Sequence, residues 1–237
     1  MRCLLLFVFQ RKLIYFPVDD YGIAPHQVMV LSLEDVTLRG WALHPEASKA
    51  VLYFGGNAEA IEFNMDHFLQ LFPDRAIFLM PYRGYGASDG APNESALYAD
   101  ALAVFDRVAA EHTQVSVIGR SLGSGVATYV AAHRKVEKLV LVTPFDSIVA
   151  LAQQQLPFLP VTYLLLDRYE SIARVAQISA PTLMLVAEKD QVVPRGNSDR
   201  LAAAFDPEQL QVVTVKGANH NTISNIPAFS TSLRAFL

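Results

Sequence analysis

The chain has 237 residues, of which 52% are apolar and 18% charged, with a formal net charge of −4 and one cysteine, Cys3. That length and apolar fraction fit one α/β domain with a large buried core and exclude a disordered chain. A mildly acidic balance without any Lys/Arg-rich run gives nucleic acid nothing to hold, and a lone cysteine excludes an internal disulfide and a CxxC metal site.

The first segment, MRCLLLFVFQRK, carries an apolar run over residues 3–9 between Arg2 and the Arg11-Lys12 pair. It is far short of the roughly 20 residues that span a bilayer, and it lacks an A-x-A-like cleavage site. Three readings stay open: a segment packed on the domain, a vestigial or interfacial anchor giving peripheral membrane association through residues 3–9, and a cleaved signal. Residues 1–10 are therefore set apart from a single domain over 11–237. The expected location is the cytoplasm, with membrane association as the alternative.

Short apolar runs then alternate with amphipathic stretches. VMVLSL and VTLRGWALH read as paired strands, AVLYFGG as a buried strand, and residues 58–72 as a helix. RAIFLMPYRGYG gives a strand with a turn-rich exit. ESALYADALAVFDRVAAEH has apolar residues at helical spacing behind a cap at Asn93. VSVIG and its helix follow, then KLVLVTP, PTLMLVAEKD, a helix near residues 198–205, LQVVTVKG and a closing helix. Near-continuous aliphatic strands followed by helices predict a mostly parallel sheet covered on both faces, which binds its ligands at the carboxyl ends of its strands.

Those strand ends carry the chemistry. After VSVIG stands Ser121 in Gly119-Arg120-Ser121-Leu122-Gly123, a GxSxG corner between a strand and a helix. Glycines on either side permit a turn so sharp that the serine hydroxyl is lifted to the start of a helix, where unpaired N–H groups favour developing negative charge. Asp190 follows PTLMLV and His220 follows LQVVTVKG, so the order is Ser, Asp, His. His220 would serve as general base and acid, and Asp190 would orient its imidazole. Asp146, just past KLVLVTP, is the alternative acid. His26, His44, His67, His112 and His133 lie before the core strands or in helical segments and read as structural or solvated. The N–H of Leu122 and that of Asn57, in the Gly55-Gly56-Asn57 loop with Gly56 behind it, are the expected oxyanion donors.

These stretches resemble the α/β-hydrolases, in the branch of serine-aminopeptidase-like hydrolases that includes the α/β-hydrolase-domain depalmitoylases. The resemblance runs from RKLIYFP through GNA, YRGYGASDGAP, GRSLGSG, TPFDSI and APTLMLVAEKDQVVP to GANHN. It implies an α/β-hydrolase fold with Ser121, Asp190 and His220 as catalytic triad and Asn57 and Leu122 as oxyanion donors. Two positions depart from the branch: Gly55 stands where a histidine is usual, and Pro81 where an aspartate is. Relatives often carry a membrane-spanning helix ahead of LIYFP, where this chain has only the short apolar run.

Residues 147–171 are too long for a simple crossover and read as a short helical cap, or alternatively as part of the core. Phe145, Leu156, Phe158 and Leu159 are the expected substrate contacts in an apolar acyl pocket. The sequence thus predicts a serine hydrolase acting on small-molecule acyl esters or thioesters through an acyl-enzyme, with no metal and no organic cofactor. An aminopeptidase-like peptidase is the enzymatic alternative, for which the cap offers only Asp167 and Glu170 as amino-terminus ligands. An inactive hydrolase-like binding protein is the alternative from another class. The oligomeric state is left open.

Overall fold

The computed structural model describes residues 2–22 and 27–237, with the side chains of residues 2–6 and 27 outside that description; the reading of His26 lies outside the described residues. Its centre is one eight-stranded sheet made of β1 (Gln27–Ser32), β2 (Thr37–Leu43), β3 (Lys49–Phe54), β4 (Ala76–Leu79), β5 (Gln114–Arg120), β6 (Leu139–Val142), β7 (Thr182–Ala187) and β8 (Leu210–Val215). The order is β1-β2-β4-β3-β5-β6-β7-β8. Only β1–β2 and β2–β4 pair antiparallel; every other neighbour is parallel.

Strands buried on both faces explain the near-continuous apolar runs. Along β3, Ala50, Leu52 and Phe54 enter one core while Val51 and Tyr53 enter the other. The first core is closed by α3 (Glu94–Ala109) and α4 (Leu122–His133), through residues such as Leu97, Val104, Val126 and Val130. The second is closed by α2 (Met65–Leu71) and α8 (Pro227–Phe236), through Phe68, Leu71, Phe229 and Leu233. The cap expected at Asn93 forms, its side chain accepting the N–H of Ala96 at 3.0 Å. The helix expected over residues 58–72 is shorter. A 3-10 turn, Ile61–Asn64, precedes α2, because the Glu59 side chain folds back on the N–H of Gly56 and Ala58 sits at a φ of 55°.

The cap insertion over residues 147–171 holds α5 (Ile148–Gln155) and the single-turn α6 (Val161–Leu164), and α7 (Arg195–Ala203) follows β7. Helix α1 (Arg2–Ile14) spans the position after residue 10 where the apolar segment was set apart from the domain. Gln10 is almost fully buried and bonds the Leu164 carbonyl at 3.1 Å and the Leu166 N–H at 2.7 Å. Arg11 pairs with Asp167 at 3.2 Å, and the Tyr15 hydroxyl meets Asp167 at 3.1 Å and Tyr169 at 2.9 Å. The amino-terminal helix is thereby fastened to the cap. Among the described residues no helix is long and apolar enough to cross a membrane.

Candidate active site

The corner between β5 and α4 is built by close approach. A Cβ on Gly123 would fall 2.1 Å from the Phe54 carbonyl oxygen, and Gly119 is closed in by Gly123 and Ala127. Glycine lets α4 press against the sheet, and the residue between absorbs the turn: Ser121 has φ 51° and ψ −115°. Such a conformation costs a non-glycine residue on the order of 1–3 kcal/mol and persists because its surroundings enforce it. Here the Ser121 N–H donates to the Val142 carbonyl at 2.9 Å, and its own carbonyl accepts from Ser124 Oγ at 2.6 Å.

Asp190 and His220 reach the same point from the ends of β7 and β8. His220 Nε2 lies 2.9 Å from Ser121 Oγ, and Nδ1 lies 2.8 Å from Asp190 Oδ2 and 3.0 Å from Oδ1. A carboxylate can only accept, so Nδ1 carries the hydrogen and Nε2 presents its lone pair to the serine. Asp190 is held in turn by the N–H groups of Val192 and Val193, at 2.9 and 2.8 Å from Oδ1. Asp146 is elsewhere engaged. It accepts from the Ser147 N–H at 2.9 Å, Asn197 Nδ2 at 2.8 Å and Arg200 Nε at 2.6 Å, and makes no bond to His220. The other described histidines stand apart: His44 beside Glu46, His67 on Ser230, His112 on the Ala47 carbonyl and His133 on the Tyr129 carbonyl.

Asn57 and Leu122 border the same cavity as Ser121, and their backbone N–H groups have no acceptor among the described residues. The N–H of Gly56 is committed to Glu59, so Gly56 shapes the loop beside Ser121 without a free donor. Glu59 was not flagged by the sequence. Its other oxygen accepts from Tyr53 Oη at 2.8 Å, Arg120 Nη1 at 2.9 Å and Asn64 Nδ2 at 2.9 Å, while Arg120 Nη2 reaches the His220 carbonyl at 3.3 Å. One ion pair thus braces both the Asn57 loop and the His220 loop. Burial works against the Arg120 charge, yet the Glu59 carboxylate holds its pKa above the usual arginine value; burial pushes the Tyr53 phenol well above its usual value and keeps it a neutral donor. The only sequence signal for this brace is an arginine inside the GxSxG corner. The departure at Gly55 also has a local reason: a Cβ there would fall 2.3 Å from Ile61 Cγ2, in space that Ile61 fills.

The cavity at Ser121 measures about 330 Å³ and has no charged residue in its lining. Phe145 and Leu156 line it, with Leu151, Val161, Leu165 and Val193. Phe158 and Leu159 do not, which corrects that expectation: Phe158 is 97% exposed. Helix α5 ends at Gln155 with Leu156 as its cap, and Pro157 and Pro160 carry the chain outward in a turn closed by Gln153 Nε2 on the carbonyls of Leu156, Pro157 and Leu159. Their place is taken by Gln10, Leu13, Ile14 and Phe16, from α1 and its exit. Asp167 is held by Arg11 and Tyr15, Glu170 by Arg168, and neither lines the cavity. Among the described residues no group of three or more His, Cys, Asp or Glu is arranged to hold a metal ion.

Known proteins share both the sequence and the architecture. The family model described as the alpha/beta hydrolase family matches residues 54–170. An uncharacterized protein of Mycobacterium tuberculosis is 34% identical over 245 residues, covering 96% of this chain and 87% of that protein. The alpha/beta hydrolase domain-containing protein WAV2 of Arabidopsis thaliana is 28% identical over 257 residues, covering 92% and 83%. Among solved structures, the Pyrococcus furiosus esterase Pf2001 superimposes with a TM-score of 0.73 over 94% of this chain and 98% of that one, at 17% identity, a likeness of fold. With its mostly parallel eight-stranded sheet and its GxSxG corner, the chain belongs to the alpha/beta hydrolase family.

Proposed function

We propose that this protein is a serine hydrolase that cleaves acyl esters or thioesters through an acyl-enzyme. The observation that carries the reading is the 2.9 Å contact between Ser121 Oγ and His220 Nε2, with Asp190 2.8 Å from the opposite ring nitrogen, at the wall of an uncharged apolar cavity. Ser121 Oγ attacks the acyl carbonyl as His220 Nε2 takes its proton, and Asp190 stabilises the imidazolium. Negative charge on the carbonyl oxygen is met by the N–H groups of Asn57 and Leu122, the latter at the start of α4. His220 returns the proton to the departing alcohol or thiol, leaving an ester on Ser121. Water, deprotonated by His220, then releases the carboxylic acid and restores the serine. No metal or organic cofactor is needed for this sequence.

An apolar lining favours an acyl chain over a charged substrate, because a desolvated charge without a partner is costly. A peptidase would need free carboxylates for a peptide amino terminus, and Asp167 and Glu170 are already engaged. The test is labelling of the folded protein with a fluorophosphonate probe. Covalent labelling that disappears in Ser121→Ala supports the enzyme; no labelling of the wild-type protein supports the inactive binding protein instead.

A further inference from the structure

The Asn57 carboxamide has a second set of partners. Its Oδ1 accepts from the Phe16 N–H at 2.9 Å and from the Tyr85 hydroxyl at 2.8 Å, and its Nδ2 donates to the Ile14 carbonyl. Ile14 is the last residue of α1, where helical carbonyls have lost their intrahelical donors, and Phe16 lies just beyond. Asn57 therefore stops α1 from outside, across more than forty residues of sequence. The other end of the connection is equally firm, since Gln10, Arg11 and Tyr15 fasten α1 to the cap. The Gly55 carbonyl behind Asn57 accepts from Tyr82 Oη at 2.7 Å, whereas the Asn57 backbone N–H has no acceptor among the described residues. The Gly56 N–H turns to Glu59, and Ala58 sits at a φ of 55°.

We propose that the Asn57 side chain is a latch by which helix α1 sets the position of the oxyanion loop, so that the amino-terminal helix is a working part of the active site. This rests on the serine-hydrolase reading and deepens it: the backbone N–H of Asn57 meets the oxyanion, and its carboxamide positions that N–H through α1. The latch also joins the two services of α1, since the helix that walls the acyl cavity holds the donor for the acyl oxygen.

Asn57→Ala keeps the backbone N–H and removes all three side-chain bonds. On an acetyl ester, too short to need the α1 wall, its kcat per active site should fall about 10- to 100-fold with KM changed by no more than about threefold. Titrating active sites with a fluorophosphonate removes any loss that comes only from unfolded molecules. Asn57→Asp, which keeps the acceptor for Phe16 and Tyr85 but loses the donor to Ile14, should fall between. A per-site kcat within twofold of wild type in Asn57→Ala overturns the latch while leaving the hydrolase intact. If Asn57→Ala does not fold, Tyr85→Phe decides: a loss of threefold or more supports the latch and a smaller one overturns it. Wild-type protein that takes no label would remove the hydrolase reading, and the latch with it.

Discussion

A carboxylate against Nδ1 of His220 decides which ring nitrogen can take a proton from Ser121, so the acid is the most informative single residue to change. Asp190→Asn keeps the shape but offers an amide N–H where the imidazole must donate, and per-site kcat should fall about 10⁴-fold. Asp146→Asn instead loosens a carboxylate held by Asn197 and the half-exposed Arg200. Its kcat should stay near wild type while the melting temperature drops a few degrees, for a loss of about 1–2 kcal/mol. The reverse pattern in ester turnover would move the acid to Asp146. The convergence of Ser121, Asp190 and His220 was legible because each stands immediately past a strand, and parallel strands bring their carboxyl ends to one rim. Glu59, Arg120 and the carboxamide of Asn57 were not. Their partners lie on other elements, at Gly56, His220, Ile14 and Phe16, and no local pattern records such a meeting.

Elements buried on both faces read well, and those whose face depends on a distant neighbour did not. The β3, β5, β6 and β7 runs are predominantly apolar because both cores need them. The α1 run suits lipid and protein equally, and the contacts that fasten the helix to the cap are made by the polar side chains Gln10 and Arg11, which an apolar pattern does not record. The tip of the cap misled for the opposite reason: Phe158 is apolar enough for a pocket, but two prolines carry it away from one. On α5 the small Ala152 lines the cavity. Ala152→Phe should fill part of that space and cut kcat/KM on a decanoyl ester at least about tenfold, with no more than about a twofold effect on an acetyl ester. Equal losses on both, in a chain-length series of nitrophenyl esters, would place acyl binding outside this cavity.

At the scale of the whole molecule, the mostly parallel sheet and its two cores follow from central strand runs that are nearly continuous in aliphatic residues, and this was the most legible level of all. What the strand pattern cannot convey is how tightly the layers press at one point: α4 meets β3 so closely at Gly123 that the chain between β5 and α4 has one way to turn. Ser121 takes that turn at a φ of 51°, a backbone state natural to glycine alone.

Selection for stability would not leave a serine there. Ser121→Gly should relieve the strain, lose all turnover and raise the melting temperature by roughly 2–4 °C, the shift expected for about 1 kcal/mol in a chain of this size. Calorimetry of the two proteins side by side checks it, and a lower melting temperature in the glycine variant would mean that the hydroxyl's bond to His220 outweighs the strain. The expected outcome makes the inactive protein the sturdier one, a trade of robustness for reactivity made at a single corner.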